Sequence, residues 1–178
     1  MKFLLNTRLA LAKTILLAVM LLSVMQTADS QIKAQGTEHG DWTVSCENTP
    51  ASFKSCAMWQ VASTADDAPP LLHVELSFRR PFSDASLLII LPLGISLTSA
   101  PTLHIDKKQV MDFQVDYCIA DGCYIRSKLT PALLEQLLHM KNAILRLKTF
   151  DGHDIELPIS GTGSRAAFNS TDDSGNDS

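Results

Sequence analysis

The sequence predicts a mainly β protein, an antiparallel β-sandwich of about eight strands with one short helix and two local disulfides. Three observations lead there. Alternating or apolar runs of strand length recur along the chain, separated by clusters of turn residues. Only one stretch carries a helical stripe. Four cysteines fall into two pairs close in sequence, each enclosing a turn.

The N-terminus sets the compartment. Met1 to Lys13 carries Lys2, Arg8 and Lys13 and no acid, and Thr14 to Met25 is an apolar run. Ala28 and Ser30 then offer small residues at the −3 and −1 positions of a cleavage site. This is the order of a secretory signal peptide, expected to be removed after Ser30, with Ala34 as a second site. A spanning helix needs about 20 apolar residues, more than this run supplies. The mature chain is therefore expected to have no transmembrane span and to lie in the periplasm or at the outer membrane and cell surface. Lys2, Arg8 and Lys13 leave with the leader, taking 15 basic residues to 12, and Asp29 takes 19 acidic residues to 18, for a formal charge of −6. That balance argues against nucleic acid as a partner, because nucleic acids are bound through basic patches.

The mature chain then divides simply. Residues 31–39 are polar and read as a flexible lead-in, 40–168 as a single sandwich domain, and 169–178 (NSTDDSGNDS) as an acidic disordered tail. The first strand is Asp41 to Cys46, with Trp42, Val44 and Cys46 on one face. Cys56 to Ala62 returns beside it. Leu71 to Arg79 has a clear period of two, with Leu72, Val74, Leu76 and Phe78 inward and His73, Glu75, Ser77 and Arg79 outward. Leu87 to Leu97 is apolar apart from Pro92, Gly94 and Ser96 and reads as a central strand, broken at Pro92, which has no N–H to donate. Thr102 to Asp106 is a short strand. Val110 to Tyr117 leads into Cys118-Ile119-Ala120-Asp121-Gly122-Cys123, and Tyr124 to Lys128 leaves it; Asp-Gly marks the turn between. Thr130 caps a helix with Pro131 at its first position and Leu133, Leu134, Leu137 and Leu138 along one stripe. Ala143 to Phe150 and Ile155 to Ile159 form the last hairpin around Asp151-Gly152-His153-Asp154.

An even cysteine count in an exported chain points to disulfides. Of the three pairings open to Cys46, Cys56, Cys118 and Cys123, proximity and turns favour Cys46–Cys56 and Cys118–Cys123. A zinc site would want tighter Cys and His spacing than these cysteines have, and His39, His73, His104, His139 and His153 are scattered. A thioredoxin-like centre would want Cys-x-x-Cys opening a helix, which Cys118 and Cys123 do not provide. There is no Gly-x-Ser-x-Gly elbow, and His153 beside Asp154 reads as hairpin surface. Gly161-Thr162-Gly163-Ser164 looks like a phosphate loop only superficially, because no βαβ unit can follow it. No catalytic, metal-ligating or cofactor-binding residue is assigned, and none of these groups is expected.

In this order the residues resemble the invasion-associated locus B family of exported bacterial proteins. The matching pieces are Gly40-Asp41-Trp42-x-Val44-x-Cys46 and then Cys56; Leu91-Pro92-Leu93-Gly94-Ile95-x-Leu97 and Leu103-x-Ile105-Asp106; then Cys118-x-x-x-Gly122-Cys123 with a helix after it, and Leu157-Pro158-Ile159-Ser160. They run over residues 40–168. The resemblance implies a sandwich in a Gram-negative envelope, the same two disulfides, no enzymatic activity, and a link in some members to entry into host cells. The expected role is a binding or accessory factor supporting invasion or envelope fitness. Its partner would be an unknown protein or envelope component, such as a host-cell surface molecule. Two other roles stand beside it: a periplasmic assembly or chaperone-like protein offering Leu87 to Leu97 to clients, and a thiol-redox partner using Cys118 and Cys123.

Overall fold

A computed structural model of the chain describes residues 36–48, 54–63, 70–80 and 85–173. The expected signal peptide lies outside the described residues. The elements run β1 (Thr37–His39), β2 (Trp42–Asn48), β3 (Lys54–Ala62), β4 (Leu72–Arg80), β5 (Ala85–Leu91), β6 (Thr102–Ile105), β7 (Lys108–Asp112), β8 (Tyr117–Ile119), β9 (Gly122–Leu129), α1 (Pro131–His139), β10 (Asn142–Lys148), β11 (Asp154–Ser160) and α2 (Ser164–Asp173). They form a β-sandwich of two antiparallel sheets. The larger has the order β1-β2-β3-β4-β5-β9-β8 and the smaller β11-β10-β6-β7.

Period-two patterning accounts for the core. Trp42 and Val44 on β2, Met58 on β3, Leu72, Val74, Leu76 and Phe78 on β4, Leu87, Ile89 and Leu91 on β5, and Ile125 on β9 are all buried. Their alternates form the outer face of the large sheet. From the small sheet, Leu103, Ile105, Ala143, Leu145, Leu147, Leu157 and Ile159 join the same cluster. Gln60 binds the two layers together: its amide donates to Ser160 O at 3.0 Å and accepts from Ser160 N at 2.9 Å. Trp42 Nε1 donates to the same carbonyl at 2.9 Å. The clamp satisfies the polar groups of a glutamine only 8% exposed.

Helix α1 forms as its residues require. Thr130 Oγ1 accepts from Leu133 N at 3.2 Å, Pro131 opens the first turn, and Leu133, Leu137 and Leu138 are buried. Strand β5 stops at Leu91, immediately before Pro92.

Several details differ from expectation. The lead-in is shorter than residues 31–39, because Thr37–His39 pair with β2. A second helix, α2, runs through Asp173, so residues 169–173 of the expected tail are helical. It holds by its small inward residues: Ser164, Ala167 and Thr171 are at most 1% exposed. Phe168 packs on Phe78 with ring centroids 5.2 Å apart. Ser164 Oγ donates within 3.1 Å of both Gly161 O and Leu138 O, so the glycine-rich stretch before α2 is a packed connection. Among the described residues there are eleven strands, against about eight expected, because β1, β7 and β8 are short pieces of segments read as loop or as longer runs. Gly122 lies within β9, and the turn centres on Ala120 and Asp121. The glycine is needed for a close approach, since a Cβ there would stand 2.6 Å from Leu91 O.

Candidate functional site

The cysteines fall into the preferred pairs. Cys46 faces Cys56 across β2 and β3, with Cα atoms 4.1 Å apart, and Cys118 faces Cys123 across β8 and β9, at 4.0 Å. Both pairs are disulfide-bonded. Cys123 and Cys56 are buried, whereas Cys118 lies on an exposed edge strand. The second bridge therefore closes a hairpin and does not stand at a helix N-terminus, where a thiolate would be favoured. Strand β5 is paired along both edges, with β4 and β9, so Leu87–Leu91 of the apolar run that suggested client binding offer no free edge, whereas Leu93 and Leu97 of the same run are exposed.

The unusual surface lies at one end of the large sheet. Register places Val61, His73, Ile90, Tyr124 and Tyr117 in one outward row across β3, β4, β5, β9 and β8. Tyr117 and Tyr124 stack at 4.9 Å, and the Arg126 guanidinium lies 5.2 Å from the Tyr117 ring centroid. Arg126 is fixed by Asp116, which accepts from both its backbone N–H and its Nε. Tyr124 donates to Asp121 at 2.7 Å, and that bond raises the phenol's pKa. His73 and Glu75 are 3.5 Å apart on the outer face of β4; the hydrogen bond from His73 lowers the Glu75 pKa against the opposing effect of burial.

Beyond this row the chain leaves β5 as Pro92-Leu93-Gly94 and meets the β10–β11 turn. Ile95 pairs with Thr149, Ser96 N donates to Lys148 O, and Phe150 N donates to Gly94 O. Two loops are thereby fastened to each other. They display Leu93 at 55%, Leu97 at 68% and Phe150 at 80% exposure. With Val61, Tyr117 and Ile119, these are the large apolar side chains left exposed among the described residues. Phe150, expected at the end of a strand, instead sits in the turn, because Thr149 N bonds His153 O and closes the hairpin below it. Two carboxylates lie on the hairpin that carries Phe150: Asp151, beside His153 at 3.0 Å, and Asp154, paired with Lys148.

His153 and Asp151 are exposed, and the Thr149 hydroxyl beside them donates to Asp151 and accepts from the His153 backbone N–H. Among the described residues, no group of three or more His, Cys, Asp or Glu is placed to hold a metal, and no helix is long and apolar enough to cross a membrane. The sequence offered one usable signal for this end, a Phe directly before the Asp-Gly of a hairpin turn.

A family profile described as "Invasion associated locus B (IalB) protein" matches residues 42–172. The crystal structure of invasion associated protein B from Bartonella henselae superposes with a TM-score of 0.68 at 16% identity, covering 79% of this chain and 96% of that one. At that identity the likeness is one of fold. Comparison with curated proteins returns no significant sequence match.

Proposed function

This chain belongs to the invasion-associated locus B family, and on that basis we propose that it is an exported, non-catalytic envelope protein that supports host-cell invasion or envelope fitness by binding a partner protein. The observation that carries the binding role is the fastened pair of loops presenting Leu93, Leu97 and Phe150. Large apolar side chains gathered at one place on a soluble domain mark contact surfaces. The partner we propose is a protein with an apolar patch, matching the side chains that the loops present, and with basic groups around it, because the mature chain is acidic. An anionic bilayer would be repelled by the same charges.

Export is supported by the leader pattern of residues 1–30, by two disulfides and by the family. Protease treatment of intact bacteria tests the location. Digestion would put the domain on the surface and the partner on the host cell. Protection until permeabilisation would make the partner a periplasmic or envelope component. The double change Leu97→Ser and Phe150→Ser tests the surface. It should leave the unfolding midpoint unchanged and lower invasion by a strain carrying it. Wild-type invasion at normal protein level would refute the assignment.

A further inference from the structure

A second site lies on the small sheet, away from the apolar loops. His104, Asp106, Lys107, Lys141, Asn142, Ala143, Ile144 and Pro158 line an open groove of about 620 Å³, within the range of small-molecule sites. Ile144 is opposite both His104 and Pro158, so the floor is an apolar strip on β10 and β11 with the His104 imidazole beside it on β6. At one end stands the two-residue turn Asp106-Lys107, with φ of 46° and 72°. Such a hairpin turn ordinarily takes Asn-Gly or Asp-Gly, because both central residues are left-handed. Here a lysine occupies the glycine position, in a left-handed backbone that disfavours a side chain.

The charges in the groove are unequal in freedom. The Asp106 carboxylate accepts from the backbone N–H groups of Lys141 and Asn142 at 3.3 and 3.4 Å. It is thus turned to the chain that carries Lys141. Arg126, Arg146, Lys148 and Arg165 each pair with a carboxylate. Lys107 and Lys141 form no ion pair within the described residues. Lys108 and Lys128 likewise form none within the described residues, so what sets Lys107 and Lys141 apart is that both line the groove beside its apolar strip. His104, whose Nε2 is 3.0 Å from Thr102 Oγ1, lines the groove from β6.

We propose that this groove binds an amphipathic anion, its carboxylate or phosphate head between Lys107 and Lys141 and its apolar body along Ile144 and Pro158. The placement of Lys107 makes the idea separable from a structural role. If the lysine served the turn, Lys107→Gly would destabilise the protein; because glycine relieves the left-handed backbone, the substitution should leave the melting temperature unchanged or raise it.

The test is an amide-resolved NMR titration of the purified protein with n-octyl phosphate, n-octyl glucoside and inorganic phosphate. Octyl phosphate should bind saturably, with shifts centred on 104–107, 141–144 and the neighbours of Pro158, Leu157 and Ile159, and more tightly than either of the other probes. Lys107→Gly should weaken it about two- to fivefold and Lys107→Gly with Lys141→Gln about tenfold, the range expected of exposed charge pairs. Equal binding of octyl glucoside or of inorganic phosphate, undiminished binding by the double variant, or shifts centred on Leu93 and Phe150 would each overturn the proposal.

Discussion

Replacing Gln60 with leucine should be among the most damaging single changes on the described strands. The side chain is buried, and leucine fills a comparable volume with no polar atom, so the effect is dominated by the lost hydrogen bonds. Two bonds to Ser160 disappear, at 2.9 and 3.0 Å. Ser160 O keeps its bond from Trp42, but Ser160 N–H loses the glutamine oxygen. Each bond contributes about 1 kcal/mol net, and a buried donor left alone adds about 1–3 kcal/mol. Added burial of apolar surface by leucine offsets part of this, leaving a loss of about 2–3 kcal/mol. For a domain of this length that lowers the melting temperature by roughly 5–10 °C. Urea unfolding with the disulfides intact is the assay, read as a fall in midpoint at constant slope. Trp42→Phe removes the third bond. Because both side chains converge on Ser160, the double variant should depart from additivity by about 0.5 kcal/mol or more. A Gln60→Leu loss below about 1 kcal/mol, or strict additivity with Trp42→Phe, would show that the two layers are held by apolar contact alone.

Three further outcomes are expected. Changing Cys118 and Cys123 together to serine should cost about 2 kcal/mol, and Cys46 with Cys56 about 3 kcal/mol, because the loops closed are short; differential scanning calorimetry compares them, and a loss above about 5 kcal/mol for either pair would contradict the loop-closure account. Glu75→Gln should destabilise at neutral pH and converge on the wild type as pH falls. The folded-state pKa of Glu75 is depressed, so its contribution is present above the ordinary glutamate value of about 4.3 and is lost as pH drops through the folded value; chemical denaturation at several pH values reads this, and a difference that grows in acid would reverse the assignment. Thr130→Ala removes the cap of α1 and should cost about 1 kcal/mol by urea unfolding, with no loss at all indicating that water replaces the hydroxyl.

Much of the sandwich was legible because its strands alternate. Leu72 to Phe78 could be assigned faces residue by residue, and Thr130-Pro131 announced α1 with a mechanism. Helix α2 was hidden for a physical reason: its buried stripe is Ser164, Ala167 and Thr171, small residues that an apolar count passes over, with Asp172 and Asp173 following them. Strand β1 was hidden because three residues cannot show a period. The candidate binding end was hidden differently. Leu93 and Leu97 are more than 50 positions from Phe150 in sequence, and in isolation each reads as core. Only the pairing of Ile95 with Thr149 brings the loops together and turns the side chains outward as a group. The groove needed the register of β6, β10 and β11, since Lys107 and Lys141 are 34 positions apart.

The way the apolar loops are held bears on how they would bind. An exposed phenylalanine in a mobile loop would lose backbone and side-chain freedom on contact, and that loss subtracts from affinity. Here the ordering is done in advance by folding. Phe150 N is bonded to Gly94, Ser96 N to Lys148, and Thr149 N to His153, so the segments bearing Leu93, Leu97 and Phe150 are part of a hydrogen-bonded frame. The frame in turn rests on β5 and β10, whose inward side chains Ile89, Leu91, Leu145 and Leu147 are deep in the core. A strand whose inner residues serve stability thus continues into a loop whose residues do not. Removing Phe150, four-fifths exposed, takes little from the folded state, yet it removes surface that a partner could bury without first ordering it. That separation lets a binding defect at this end be read apart from a folding defect.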